Sequence, residues 1–288
     1  METDKTLAER YNLRQADWGD AIRIQRLLNA HALAHRYLDW RDPVQWLGTQ
    51  PFLLLEEHER LQAVMACPTD PPNIAWVHLF ACSWEISLDL AWKYLFTETV
   101  KHLTVGSKPV RCFVLALEDW IDALLRKNHF RKYQEIIILQ RELDTISFQS
   151  IPNSMIIRQM VSDDLSIVET IDGLSFEDLW VYSAQTLGLA FQQSDFAYIA
   201  EIHGKPAGYL LSTKSGQAGH LARIAVLPEN TRQHVATHLI HKLFIDMKNK
   251  GMTHITLNTQ SNNQASLALY DKMGFRRTGE TFGVYQIL

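Results

Sequence analysis

A chain of 288 residues is long enough for one large or two modest domains, and 47% hydrophobic with 21% charged residues describes an ordinary globular protein. Its net charge of −4 offers no bulk attraction to nucleic acid or to an anionic membrane surface. No apolar run approaches the roughly 18 residues of a membrane span, no basic–apolar leader opens the sequence, and Cys67, Cys82 and Cys112 fit neither a disulfide framework nor a metal spacing. The expectation is a cytoplasmic protein without a membrane or nucleic-acid partner.

Two halves share one plan. Leu13-Arg14-Gln15 ahead of Asp17 and Asp20 is matched by Ile157-Arg158-Gln159 ahead of Asp163 and Asp164, an offset of 144 (158 − 14). The Phe52 strand matches the Phe196 strand at the same offset, Val77-His78-Leu79 matches Gly219-His220-Leu221 at 142, and the segment ending at Phe130 matches that ending at Phe275 at 145. A near-constant spacing at four places reads as a duplicated domain of about 140 residues. The expected domains are 1–145 and 150–288, with a Ser/Gln/Pro/Asn linker over Asp144–Ser154.

In the first half, strands are expected at Tyr11–Arg14, Phe52–Glu57, Arg60–Cys67, Ile74–Cys82, Arg111–Leu117 and Gln134–Gln140. In the second, Met155–Gln159 leads into helical segments between Asp163 and Leu189. Strands follow at Phe196–His203, Ala207–Thr213 and Gly219–Leu227. The last of these stops at Pro228, and a polar turn then feeds a helix with an apolar stripe of Ala236, Ile240, Leu243 and Met247, ended by Gly251. Strand Thr253–Thr259, a helix over Asn263–Met273 and a last strand at Thr281–Leu288 complete the chain. A strand running through a short loop into a helix aims loop amides and the positive helix end at one spot, which suits a phosphate.

The segment Leu221–Phe275 resembles the core of the GCN5-related N-acetyltransferases (GNAT). Asn263, Leu269-Tyr270 and Gly274-Phe275 match that family's Asn…Leu-Tyr-x-x-x-Gly-Phe signature residue for residue. The family loop Gln/Arg-x-x-Gly-x-Gly/Ala falls on Thr231, Arg232, Gln233, His234, Val235 and Ala236. Thr231 departs from it, and His234 stands where glycine lets the backbone approach a pyrophosphate. The resemblance implies an α/β (α+β) fold of two tandem domains, each a mixed, mostly antiparallel sheet flanked by helices. It implies acetyl-CoA as co-substrate, with Ala225, Val226 and Thr231–Thr237 lining its site, Asn263 holding the pantetheine arm and Tyr270 protonating the departing thiolate. Val226 would polarise the thioester through its amide. The acceptor would be a small-molecule, peptide or protein amine, and the oligomeric state stays open, a homodimer included. The plain alternative for Tyr270 is a half-buried core tyrosine.

The first half lacks this chemistry. No basic or glycine-containing turn follows Cys82, and Leu125 and His129 stand at the places of Tyr270 and Gly274. Trp18, Trp40, Trp46, Trp76, Trp84, Trp92 and Trp120 lie there, as expected of core or interface aromatics rather than a ligand box. His234, His238 and His241 share a helical face; they read as a solvated polar face more readily than as a metal site, with His234 placed to meet a CoA phosphate. Glu177, Glu201, His203 and His220 are candidates for the base that an ammonium acceptor needs. Strict alternation sets His220, Ala222 and Ile224 on one strand face. Two rival functions are an acyl-CoA-sensing or protein-binding module without turnover, and transfer of aminoacyl groups from tRNA; the latter lacks a basic surface to support it.

Overall fold

The computed structural model describes residues 10–30, 33–105, 109–144 and 152–288. In chain order it begins with β1 (Asn12–Gln15), α1 (Ala21–Asn29), β2 (Leu33–Arg36), β3 (Phe52–Glu57), β4 (Arg60–Ala66), β5 (Ile74–Trp76), β6 (Leu79–Cys82), α2 (Leu88–Thr104), β7 (Arg111–Ala116) and α3 (Asp119–Lys127). It continues with β8 (Arg131–Glu142), β9 (Met155–Gln159), α4 (Leu165–Ser175), α5 (Ala184–Gln193), β10 (Phe196–Ile202), β11 (Lys205–Ser215), β12 (Ala218–Val226), α6 (Val235–Asn249), β13 (His254–Gln260), α7 (Gln264–Lys272) and β14 (Arg276–Gln286). This is the expected mixed, mostly antiparallel architecture flanked by helices.

Two compact units emerge, Met1–Gln134 with Phe282–Leu288, and Glu135–Thr281. The sequence division at 145/150 leaves each closing strand with the half it follows. The structure groups them the other way. Residues Ile136–Glu142 of β8 pair with β13, and Gly283–Gln286 of β14 pair with β7. The middle of the expected linker, 145–151, lies outside the described residues.

The first unit holds a five-stranded antiparallel sheet in the order β1-β3-β4-β6-β2, and β5 pairs in parallel with β7. The expected strand Ile74–Cys82 is therefore two strands with different partners, and β2 was not expected. Trp92 is its largest fully buried side chain, edge-on to Phe80 at 5.1 Å and stacked on Phe96 at 5.3 Å. The aromatic reading holds for Trp46, Trp76 and Trp92, whereas Trp18 and Trp84 are exposed.

In the second unit the order is β9-β10-β11-β12-β13-β8, with β12 and β13 as its parallel pair. Helix α6 covers one face of this sheet, burying Leu239, Ile240, Leu243, Phe244 and Met247 in a cluster with Leu221, Ile255 and Leu257. Each such side chain contributes roughly 1.5–3 kcal/mol on leaving water. His238 and His241 are buried as well, 5% and 8% exposed. The expectation of a solvated polar face fails because the helix is covered well beyond its apolar stripe. Among the described residues no group of three metal-ligating side chains exists.

The repeat seen in sequence recurs in geometry. Arg14 grips Asp20 with both terminal nitrogens and reaches Glu56; Arg158 grips Asp164 the same way and reaches Glu201. The β3–β4 and β10–β11 pairs slip register at Leu55/Glu56 and Ala200/Glu201, and their turns place left-handed residues at His58-Glu59 and His203-Gly204.

One feature of β12 escapes periodicity. Leu211 pairs with Arg223 but Ser212 pairs with Leu221, so Ala222 is an extra residue in that strand. This bulge resets the alternation. Leu221 faces the α6 cluster before it, and Ile224 and Val226 face the same cluster after it. His220 and Ile224 thus lie on opposite faces, against the strict alternation expected, and Arg223 turns towards Asp172 of α4.

Candidate active site

The bulge also ends a ladder. Strands β12 and β13 pair from Ala218↔His254 only to Leu221↔Leu257. Yet β12 stays on β11 as far as Val226↔Gly208, and β13 stays on β8 as far as Gln260↔Ile136. Each strand keeps its outer partner, so the parallel pair parts in a V beyond Leu221. Leu227 N donates to Ala207 O at 2.9 Å, so alternation turns the N–H and C=O of Val226 to the opposite edge, the one that β13 has left. On that side Ser175 Oγ donates to the Val226 carbonyl at 3.0 Å. Among the described residues no strand pairs with the Ala222–Val226 stretch of this edge.

The strand leads through a 3-10 turn, Pro228–Asn230, into the loop. Thr231 Oγ1 donates to Pro228 O at 2.8 Å and Gln233 Nε2 to Glu229 O at 3.2 Å, so the loop braces itself. Arg232 and His234 both have φ of 61°, and Thr231–His234 are all exposed. The histidine therefore holds a left-handed backbone that glycine adopts without strain, at a cost of about 1–2 kcal/mol. His234 precedes α6 as its cap residue, with no side-chain hydrogen bond to the helix. Intrahelical bonding starts with His238 N to His234 O, so the amides of Val235, Ala236 and Thr237 have no intrahelical acceptor. Gly208, opposite Val226, lets this helix start approach the sheet: a Cβ there would lie 2.7 Å from Ala225 O and 3.2 Å from Val235.

Asn263 caps α7, its Oδ1 accepting from Ser266 N at 3.1 Å and its Nδ2 donating to Gln260 Oε1 at 3.4 Å. Tyr270 follows two turns on, 6% exposed, its ring edge-on to Phe275 at 5.7 Å. Burial raises the phenol pKa, so its proton stays in place at neutral pH. Ala225, Val235 and Thr237 are buried; Val226, Ala236 and Asn263 are half-buried.

The base candidates separate clearly. Glu201 belongs to the Arg158 network, His203 sits in an exposed hairpin turn and Glu177 is exposed. His220 is half-buried, with Nδ1 2.9 Å from Thr256 Oγ1. Burial depresses its pKa, which keeps the ring neutral and able to accept a proton.

Sequence reasoning missed a buried charge cluster beside the crevice. Arg223 Nε and Nη2 meet Asp172 Oδ2 and Oδ1 at 2.6 and 2.8 Å, and the Tyr209 hydroxyl donates to the same carboxylate. The available signal was an arginine inside the otherwise apolar run Leu221–Val226.

Residues 163–275 match the acetyltransferase (GNAT) family. An uncharacterized N-acetyltransferase of Methanocaldococcus jannaschii is 30% identical over 125 residues, 42% of this chain and 78% of that protein. The fold is shared with a GCN5-related N-acetyltransferase from Sphaerobacter thermophilus (TM-score 0.63, 15% identity, 96% of this chain and 95% of that one). A tandem GNAT protein from the clavulanic acid biosynthesis pathway is similarly close in fold (TM-score 0.62, 11% identity, 96% and 98%). Parted strands, an uncapped helix start and the Asn263–Tyr270 helix thus sit inside a segment with clear relatives, and the chain belongs to the GNAT acetyltransferase family.

Proposed function

We propose that the second unit transfers an acetyl group from acetyl-CoA to a primary amine by direct attack on the thioester. The observation that carries this reading is the parting of β12 from β13 beside the uncapped start of α6. An extended pantetheine arm can take hydrogen bonds from the unpaired β12 edge, and a diphosphate can take those of Val235, Ala236 and Thr237. Arg232, exposed beside these amides, pairs with no carboxylate among the described residues and adds a positive charge for the phosphates. The Val226 amide polarises the thioester carbonyl, Asn263 orients the arm through the amide capacity its capping leaves over, and Ala225 and Thr231–Thr237 line the rest.

Acetyl-CoA supplies the activated acyl group. The amine nitrogen bonds to the carbonyl carbon, the carbon–sulfur bond breaks, and the leaving sulfur takes a proton from Tyr270. The amine's surplus proton passes to neutral His220 directly or through water. The acceptor is a small-molecule, peptide or protein amine. Three buried thiols without a disulfide support a reducing, cytoplasmic setting.

Replacing Tyr270 with Phe is expected to lower turnover by about 10²–10⁴-fold and leave acetyl-CoA affinity unchanged. Unchanged turnover removes Tyr270 from the mechanism. A second reading, a CoA-sensing module without turnover, is favoured by the histidine at the loop's glycine position. It predicts that acetyl-CoA raises the melting temperature but is consumed with no amine in a broad panel.

A further inference from the structure

The cluster around Arg223 does more than satisfy a buried charge. Arg223 is 8% exposed, and Asp172 and Tyr209 are fully buried. The guanidinium lies between two rings, its Cζ 3.9 Å from the Phe176 centroid and 3.7 Å from that of Tyr182. Nη2 also donates to the Trp180 carbonyl at 2.6 Å, while Asp172 Oδ1 accepts from the Tyr182 amide at 3.0 Å. Every one of these contacts outside the ion pair and Tyr209 falls on one stretch, 176–182, which links α4 to α5. The stretch is therefore held by two backbone hydrogen bonds and two stacked rings around the Arg223–Asp172 pair.

That side chain stands on the strand that opens the crevice. Arg223 directly follows the bulged Ala222, and the extra residue turns its charge away from the apolar α6 cluster towards α4. Just before the stretch, Ser175 Oγ holds the Val226 carbonyl. The 175–182 chain is thus tied to β12 at Arg223 and at Val226, both within the unpaired stretch Ala222–Val226.

We propose that Arg223 is a positioning residue for the crevice: paired with Asp172 and clamped between Phe176 and Tyr182, it fixes the 176–182 stretch against β12 beside the Val226 carbonyl, as a wall against which an acceptor amine meets the thioester. Arginine suits this task because its planar fork bonds carboxylate and carbonyl together while both its faces stack. The proposal rests on the transferase reading for the word acceptor, but not for the ordering of the stretch.

The test compares Arg223→Lys, which keeps charge and loses the fork, with Tyr182→Leu, which removes one clamping ring and leaves the ion pair. Three quantities are read: hydrogen exchange across the unit, acetyl-CoA affinity by calorimetry, and transfer to a panel of primary amines. Exchange should rise in 176–182 for both variants, with α6 and acetyl-CoA affinity unchanged. For any amine the parent acetylates, kcat/KM for the amine should fall by about a hundredfold, the effect of an ångström-scale misplacement, while KM for acetyl-CoA stays put. Unchanged exchange in 176–182 overturns the proposal, as does a loss of acetyl-CoA affinity in step with amine transfer. If the parent acetylates no amine, the transferase reading fails, and exchange with affinity still decides the role of Arg223. Should Arg223→Lys fail to fold, Tyr182→Leu alone decides it.

Discussion

Strand β12 in the second unit and strand β6 in the first begin from matching sequence, yet one edge is open and the other is filled. Among the described residues no strand pairs with the β12 edge beyond Leu221. Strand β6 pairs with β4 on one side, and on the other with β2, Leu33↔Cys82 through Arg36↔Leu79. The first unit therefore satisfies with its own backbone the hydrogen bonds that an extended ligand would take. His35, fully buried on β2, places Nδ1 3.0 Å from Glu118 Oε2, and Glu118 stands 145 residues (263 − 118) before Asn263. The helix starts differ in the same sense. Ser87 caps α2, accepting from Leu90 N at 3.4 Å, whereas α6 has no side-chain cap. Leu125, at the place of Tyr270, is fully buried. In the first unit four residues of strand and one serine thus stand where the second unit leaves an unpaired edge and an uncapped helix start.

This contrast is broken most sharply by counting sites. Calorimetry should find one acetyl-CoA per chain; a stoichiometry of two would mean that β2 leaves its edge. Next in size is the buried Arg223–Asp172 pair of the second unit. At the offset of 144 the counterpart of Asp172 is Leu28, a partly buried apolar residue. Asp172→Ala strands a buried guanidinium and should cost about 3–5 kcal/mol in urea unfolding, whereas Leu28→Ala, half-exposed, should cost clearly less.

The two helix starts sharpen the comparison on a smaller scale. Ser87→Ala should destabilise by about 1 kcal/mol. His234→Gly relieves a left-handed histidine and should stabilise by about 1 kcal/mol, with acetyl-CoA affinity equal or weaker. A large gain in affinity would show that the imidazole obstructs the site.

The smallest effect concerns pH. Burial, with His234 and Arg141 nearby, depresses the pKa values of His238 and His241 below 6.5. The unfolded chain then binds more protons just below that value, so stability is full above pH 6.5 and falls as pH drops below it. Melting temperatures at pH 7.5 and 5.5 should differ less once both histidines are replaced by Gln.

Much of the second unit was legible because its apolar periods are long. Met155–Gln159 matches its expected bounds, and Phe196–Ile202 and His254–Gln260 fall within a residue or so of theirs. Strand β2 was not legible: Leu-Ala-His-Arg is four residues with two polar side chains, and only the pairing edge of β6 makes it a strand. The bulge at Ala222 leaves no mark in composition, so the alternation argument placed Ile224 beside His220. Tyr270 and Asn263 were singled out by their match to the GNAT signature Asn…Leu-Tyr-x-x-x-Gly-Phe. Arg223 and Asp172 were not, because 51 residues separate partners that only the fold unites.

The trading of closing strands has a consequence for any attempt to keep only the second half. Ile137 and Leu139, encoded just after α3, lie in the same apolar cluster as Tyr270. A fragment starting at the second repeat would discard them and bare the flank of β13. Conversely, Tyr285 and Ile287 at the far end of the chain are buried among the first unit's aromatics. Cutting the chain between the two repeats would therefore yield two sticky remnants, each lacking the strand that completes its core.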